Sequence, residues 1–199
     1  MLKPVINFNR ALAPLLLAAG VLLAPAPARA QSVYWTTRDL LADFFKTSQK
    51  VSFKKFDLDA AQRRRIEHRL GYTLARTTYT FFVATTNNTV DGYALIDDES
   101  GQHLPITFAV KLSASGAVER QEVVAYREAR GEEVRDSRFR AQFVGKTVAD
   151  SVRTGDDVVA ISGATISSRA MAVGVKRALV LLDELMLHPH EDSSATARR

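Results

Sequence analysis

Cysteine is entirely absent from this chain of 199 residues. Without a thiol, the protein has no disulfide framework, no thiolate metal site, no cysteine-held iron–sulfur cluster and no haem attached through a CxxCH motif. Any redox chemistry therefore has to come from a cofactor that other residues hold. Hydrophobic residues make up 46% of the chain and charged residues 25%, the usual composition of a soluble protein. The length favours a single domain.

A large excess of positive charge is also lacking. The net charge is +5, but Lys3, Arg10 and Arg29 lie in an opening stretch of 30 residues that contains no Asp or Glu. Without those three residues, 24 basic and 22 acidic residues remain, a net charge of +2. This near balance excludes the electrostatic footprint of a nucleic-acid-binding protein. The basic run at 63–65 is therefore interpreted as a solvent-exposed helix face.

Long apolar runs are missing after residue 30, and the one before it resembles a secretory signal. Lys3 and Arg10 precede an apolar core at 11–24, and Ala28-Arg29-Ala30 fits the A-x-A cleavage rule. An uncleaved anchor is the alternative, but the core is shorter than the ~20 residues that a spanning helix needs. We expect cleavage after Ala30, and a periplasmic mature protein without a membrane span.

The most distinctive stretch is the run of small and hydroxyl residues at 161–168, with the sequence ISGATISS. Apolar residues at spacings of three and four follow it and predict a helix over 168–187. The small residues then lie at a helix N-terminus, where unpaired N–H groups and the helix dipole favour an anion, and Gly163 allows close approach. In the alternative interpretation, Thr165, Ser167 or Ser168 only caps the helix.

Residues Ser162-Gly163-Ala164-Thr165 resemble the [Ser/Thr]-Gly-Ala-Thr signature of the FMN-binding domain family. That family includes the flavin-carrying periplasmic subunits of the Na⁺-pumping NADH:quinone reductase and of Rnf-type complexes. The resemblance implies that FMN is esterified through its phosphate to Thr165 by a flavin transferase that uses FAD. Val159 stands where the family usually has an acidic residue.

Three further segments resemble the family, so that the likeness extends over residues 75–187. They are a Gly-Tyr strand at 91–94, a Gly-x-His-x-x-Ile-Thr run at 101–107, and a Phe-x-x-Gln-Phe-x-Gly-Lys element at 139–146. A Tyr-x-Glu strand end at 126–128 precedes the last of these. The cofactor-binding residues that the resemblance implies are Ser162, Gly163, Ala164, Thr165, Gly92, Tyr93, His103, Glu128, Phe139, Phe143 and Lys146.

Several of these residues also have a purely structural interpretation. His103 contacts the flavin or stabilises its own turn, and Glu128 orients the flavin or pairs with Arg127 or Arg130. The two phenylalanines at 139 and 143 belong to the core, one ring lying near the flavin, or form a dedicated stacking pair. Lys146 and Arg169 neutralise the phosphodiester or are exposed to solvent.

The remaining pattern predicts an α+β fold, a twisted and mostly antiparallel sheet with helices packed against one side, in a single domain. Helices are expected over 37–48, with Thr37 as N-cap, and over 60–70, between an Asp59 cap and Gly71. Runs of β-branched and aromatic residues, separated by turn residues, predict four strands, over 77–86, 90–97, 105–113 and 117–127. The expected FMN-binding domain spans 31–188, and a disordered tail follows at 189–199.

These patterns favour a periplasmic electron carrier over a stand-alone enzyme, with the flavin transferase and redox proteins of the periplasm or membrane as partners. The chain has Glu-Ala-Arg-Gly-Glu-Glu from residue 128, where the larger complex subunits carry Glu-Thr-Pro-Gly-Leu-Gly. It therefore resembles the small stand-alone members. A module that binds FMN or another phosphorylated ligand noncovalently is one alternative, and a periplasmic reductase with its own small substrate is another. A His-x-His metal site at 188–190 lacks a third ligand.

Overall fold

The computed structural model describes residues 31–189, whose named strands form one antiparallel sheet in the order β1-β6-β5-β4-β3-β2. The elements are β1 (Ser32–Val33), α1 (Thr37–Phe44), β2 (Lys50–Asp57), α2 (Ala60–Leu70), β3 (Thr78–Thr86), β4 (Thr89–Ser100), β5 (Pro105–Ser113), β6 (Val118–Tyr126), α3 (Ser137–Ala141) and α4 (Thr165–Leu182). The predicted α+β class and single domain are confirmed. The signal segment at 1–30 and the tail from residue 190 lie outside the described residues.

The four predicted strands are β3 to β6, joined by short turns as expected. Only β4 differs appreciably, because it continues to Ser100 through an acidic stretch that the sequence assigned to a turn. Two of these acidic residues, Asp97 and Glu99, are ion-paired with Arg177 of α4, and Asp98 accepts a hydrogen bond from Thr107 of β5 at 2.6 Å. Partners on α4 and the neighbouring strand thus allow an acidic run to remain extended.

The sequence indicated only a brief extended piece between Phe53 and Phe56, whereas strand β2 pairs with β3 over all eight of its residues. Phe56 is half-buried and the other seven residues are exposed, so the sequence lacks the apolar alternation that marks a half-buried strand. It is an edge strand, and Lys50, Lys54 and Lys55 are typical of edges that must not pair with another chain. Strand β1, at the opposite edge, is only two residues long.

Helix caps follow the sequence with one correction. Helix α2 begins after Asp59, whose side chain accepts from two N–H groups in a capping box, and it ends at Gly71 with φ 77°. Thr37 is not the N-cap of α1. The hydroxyl of Thr36 accepts from the N–H of Asp39 at 3.1 Å instead, and the helix ends at Phe44 instead of residue 48.

Helix α4 begins at Thr165, three residues before the predicted start. The N–H of Ser168 already donates to the carbonyl of Ala164 at 2.9 Å, and Ser167 and Ser168 are buried. The hydroxyl residues were assigned to the loop because they carry no apolar signal, yet they form the first helical turn. After Leu182 the helix continues as a π-helical turn to Leu187.

Helices were expected on one face of the sheet, but they lie on both faces. Along β4, Tyr93 and Leu95 belong to the main core with α2 and α4, whereas Ala94 between them contacts a second cluster that includes Leu40 and Phe44 of α1. Successive residues of a strand point to opposite faces, so α1 covers the back of the sheet.

The middle of α4 is held against the sheet by close packing and by buried charge. A Cβ on Gly174 would lie 2.5 Å from the ring of Phe108, so only glycine allows the helix to approach β5 this closely. One turn further, buried Arg177 pairs with Asp97 at 2.9 Å and with Glu99. These contacts fix the position of the helix, and with it that of Thr165 at its start.

Candidate functional site

The run of small residues at 161–168 forms the entry to α4. Thr165 is the first helical residue and Ala164 is the N-cap, and no side chain among residues 31–189 caps the first turn. The interpretation in which Thr165, Ser167 or Ser168 serves as the cap is therefore wrong. Within the described residues the first N–H groups have no side-chain partner, which leaves the positive end of the helix dipole open to an anion.

Gly163 turns the chain into the helix with a φ of 81°, a left-handed conformation that favours glycine. A Cβ at this position would meet no atom of residues 31–189 within 4 Å. Glycine is therefore required by the backbone angle and not by crowding. Ser162 and Gly163 are both exposed, so the space in front of the helix is open to an approaching group.

The hydroxyl groups of this run differ sharply in their surroundings. Ser167 is 4% exposed and its Oγ lies 2.8 Å from the hydroxyl of Tyr126. Ser168 is fully buried and its Oγ accepts from the N–H of Ile161 at 3.1 Å. Thr165, by contrast, is exposed, and its hydroxyl makes no hydrogen bond within residues 31–189. On the first turn of α4, Thr165 is therefore the hydroxyl that a modifying enzyme can reach.

A cavity of about 260 Å³ lies on one side of Thr165. Its walls come from the end of β6, the turn before β5 and the start of α4. The lining residues are Gln102, Glu128, Arg130, Gly131 and the stretch from Gly163 to Ser167. Of the predicted cofactor-binding residues, Glu128 and three of the Ser-Gly-Ala-Thr run are thus brought together.

Glu128 shapes this cavity by holding the 101–104 turn. Its carboxylate accepts the backbone N–H groups of His103 and Leu104, the second at 2.8 Å. Burial opposes ionisation, but these N–H groups outweigh it and lower the pKa of Glu128. The carboxylate makes no ion pair with Arg127 or Arg130 among the described residues. His103 contributes its backbone to the turn, and its side chain is exposed.

Sequence reasoning missed the way in which Gly131 seats the first turn of α4. The hydroxyl of Tyr126 donates to the carbonyl of Arg130 and lies 2.8 Å from Ser167. Gly131 has a φ of 93°, and a Cβ there would lie 2.4 Å from the Oγ of Ser167. The only sequence signal was a glycine within the charged segment that follows β6.

Among the described residues, four of the predicted ones do not line the cavity beside Thr165. Gly92 and Tyr93 lie within β4, where a Cβ on Gly92 would be 2.6 Å from the carbonyl oxygen of Leu112. Phe139 and Phe143 pack edge to face in the core with ring centroids 5.4 Å apart, which supports the core interpretation. None of the four lines a cavity that also includes Thr165 in the part of the chain described.

Lys146 is directed to the loop that precedes the small-residue run. Its ammonium lies 2.8 Å from Asp157, which also accepts from the hydroxyl of Ser151 and from the N–H groups of Val152 and Arg153. Burial opposes ionisation of Asp157, but this set of donors lowers its pKa far below the ordinary value. The charge of Lys146 is thus committed to the loop and is neither free nor fully exposed.

A larger open groove, of about 610 Å³, lies on the other side of Thr165. It runs along α4 past Arg169, which is exposed, and towards the end of α2. Thr165 is the residue that lines both depressions. A group attached to its hydroxyl would have access to either one.

Residues 31–189 contain neither a candidate metal centre nor a candidate membrane span. They contain no group of three or more His, Asp or Glu side chains placed to hold a metal ion. They also contain no helix that is both long and apolar enough to cross a membrane. His190, the second histidine of the His-x-His pair, lies outside the described residues.

Residues 101–180 match the model of a known family, described as the FMN-binding domain. The match includes β5, β6 and most of α4, and therefore Thr165 and the cavity beside it. It confirms the resemblance that the Ser-Gly-Ala-Thr run indicated and supports FMN binding. No curated protein is significantly similar to the chain. Among solved structures, NqrC of Shewanella oneidensis is similar, with a TM-score of 0.45 and 18% identity, over 72% of this chain and 80% of that one.

Proposed function

We propose that this protein is a periplasmic electron carrier in which FMN is esterified to Thr165. The observation that carries the proposal is the accessibility of one hydroxyl. Thr165 is exposed and makes no hydrogen bond among the described residues, whereas Ser167 and Ser168 are buried and bonded. Its position within the FMN-binding domain match gives the group that would be attached.

Attachment proceeds by transfer from FAD, catalysed by a flavin transferase. The hydroxyl oxygen of Thr165 forms a bond to the phosphorus next to the riboflavin, the pyrophosphate bond breaks and AMP leaves. The hydroxyl proton passes to a base of the transferase. The resulting phosphodiester carries one negative charge at the uncapped start of α4, where such charges are worth about 0.3–1 kcal/mol.

The bound flavin supplies the redox chemistry, taking up and passing on one or two electrons. The chain contributes a rigid attachment point and the residues that line the cavity beside it. A covalent bond suits the periplasm, because an FMN that dissociated there would not readily be replaced. The predicted signal at 1–30 supports this location, and the electrons would pass to and from redox proteins in the periplasm or membrane.

Noncovalent binding of FMN, or of another phosphorylated ligand, is the second candidate. It is favoured by Val159, which takes the place of the usual acidic residue and is 75% exposed. The side chain of Gln142 bonds both backbone groups of Val159, at 2.8 and 3.2 Å. A transferase that recognises a carboxylate at this position would contact the apolar side chain of Val159 instead.

The test is co-expression with a competent flavin transferase, followed by the intact mass and visible spectrum of the denatured protein. Wild-type protein, Ser167→Ala and Ser168→Ala should carry the mass of FMN, and Thr165→Ala should not. The two serines are the controls because their hydroxyls lie on the same helical turn but are buried. Circular dichroism should show that Thr165→Ala remains folded, since the core is complete without a cofactor.

Each contrary result has a distinct meaning. FMN that persists in Thr165→Ala would show that another residue is modified. Wild-type protein without covalent FMN, but with FMN retained before denaturation, would replace the carrier proposal with the noncovalent one.

A further inference from the structure

The groove along α4 is built from three separated parts of the chain. One wall is the end of α2 with the turn that follows it, from Arg69 to Tyr72, and a second is the loop from Ser151 to Thr154. The floor is one face of α4, where Thr165, Arg169 and Lys176 recur at spacings that place them on the same side of a helix. At 1.5 Å per residue, the groove extends about 16 Å from Thr165 to Lys176.

The side chains that line the groove carry charge of only one sign. Arg69, Arg153, Arg169 and Lys176 contribute to it, and no Asp or Glu does so in the described part of the chain. Arg69 is neutralised by Asp183 and Glu184, at 2.7 and 2.8 Å. Arg153, Arg169 and Lys176 make no ion pair within residues 31–189.

Arg153 and Arg169 are exposed, and their guanidinium groups make no hydrogen bond or ion pair within residues 31–189. Lys176 donates to the carbonyl oxygens of Val148, at 2.9 Å, and Asp150, so its acceptors are neutral. Burial, and then the positive charge of Arg69, lower the pKa of Lys176. Arg153, Arg169 and Lys176 therefore line one concave surface and have no ion-pair partner among the described residues, although Asp150 and Asp157 lie near enough to Lys176 to raise its pKa against the effect of burial.

The loop that presents Arg153 is held in a strained conformation. Val152 has a φ of 47°, which is unfavourable for a β-branched residue and persists only where the surroundings enforce it. Asp157 enforces it by accepting the N–H groups of Val152 and Arg153, at 3.1 and 2.8 Å. The backbone at Arg153 is thus fixed beside the groove before any ligand arrives.

We propose that this groove is a binding site for a small free anion with at least two phosphate or carboxylate groups. Arg153 and Arg169 bind the charged oxygens directly, and Lys176 supplies further positive potential at the far end. The volume of about 610 Å³ is within the range of small-molecule sites. The phosphodiester proposed at Thr165 would occupy only one end, which leaves the rest of the groove for a ligand next to the flavin.

The experiment is isothermal titration calorimetry of inorganic pyrophosphate and, separately, citrate at low ionic strength. The first protein is Thr165→Ala, which carries no flavin, so the result does not depend on the proposed modification. Saturable binding is expected. In Thr165→Ala with Arg153→Ala and Arg169→Ala, affinity should fall by about tenfold or more for each arginine.

The matched control replaces Arg38 and Arg64 in the Thr165→Ala protein. Both are exposed, make no side-chain bond among residues 31–189 and lie outside the groove. Their removal changes the net charge equally and should leave affinity within about twofold. No saturable binding, or the same loss in the control, would overturn the proposal. Circular dichroism establishes that each variant is folded.

A second arm uses the flavinylated wild-type protein. Retained anion binding is expected, because the free ligand and the phosphodiester would occupy different parts of the groove. Loss of binding on flavinylation would overturn the proposal and assign the groove to the cofactor itself. If flavinylation fails, the first arm still decides whether the anion site exists.

Discussion

The first turn and the middle of α4 belong to one continuous helix but have opposite surroundings. Around Gly174 and Arg177 the helix is buried, packed on Phe108 and ion-paired to β4. At Thr165 it is exposed, uncapped and flanked by two depressions. The contrast indicates that the middle of α4 anchors the helix to the sheet, while the first turn is left accessible for the proposed attachment of FMN. Substitutions in the two regions should therefore have separable effects.

The largest effect is expected for Arg177→Met, which tests the buried end of this contrast. Removing the guanidinium leaves Glu99 without its ion-pair partner and Asp97 with Arg76 alone among the described residues, and breaking a buried ion pair typically costs about 3–5 kcal/mol. Urea denaturation should show this loss in the free energy of unfolding. Arg64→Met, on the exposed face of α2, is the control and should change stability by less than about 0.5 kcal/mol. An equal effect of the two substitutions would mean that the ion pair does not anchor the helix.

An intermediate effect is expected where the first turn meets the end of β6. Gly131 and Gly163 both have positive φ, but only a Cβ on Gly131 would collide with Ser167. Gly131→Ala should therefore cost about 1–3 kcal/mol more than Gly163→Ala, because it adds overpacking to a similar backbone strain. Thermal denaturation of both variants gives the difference. Similar melting temperatures would show that Ser167 and the first turn of α4 can shift to accommodate a Cβ at Gly131 without loss of stability.

The smallest effect concerns the loop that leads to α4 and depends on pH. The pKa of Asp157 is lower in the folded state than in the unfolded state, where it is near 3.8. The charged carboxylate therefore stabilises the folded protein at pH values above the unfolded pKa. That stabilisation is lost as the pH falls below this value towards the folded pKa. Wild type should thus be more stable than Asp157→Asn at pH 7, and the gap should shrink progressively below about pH 4. A gap that is independent of pH would show that the charge of Asp157 does not hold the loop.

Periodic apolar patterns predicted the elements that are half-buried, and failed where burial does not alternate. Strands β3 to β6 and helix α2 were predicted within a few residues, because each has one face in a core. Strand β2 carries almost no buried residue, and the first turn of α4 has serines in place of apolar residues. The structure of such segments depends on contacts with residues far away in the chain, and the local sequence does not identify those residues.

The candidate site was predicted in part for the same reason. The Ser-Gly-Ala-Thr run indicated a helix N-terminus, and the exposure of Thr165 agrees with it. The family resemblance singled out Thr165, but the local residue pattern did not distinguish it from Ser167, because the burial of Ser167 depends on Tyr126, 41 residues earlier in the chain. Lys146 was predicted either to neutralise the phosphodiester or to be exposed to solvent, and its pairing with Asp157 was not predicted because the fold brings the two together.

The unbroken course of α4 has a consequence for movement. From Thr165 to Leu182 the helix contains no hinge, and Arg177 and Gly174 hold it to the sheet. A flavin attached to Thr165 would therefore be bonded to a helix whose backbone is fixed against the sheet. Its swing would come from rotation about the threonine side chain and the phosphodiester, on the picosecond-to-nanosecond scale of exposed side chains, and not from slower motion of the backbone.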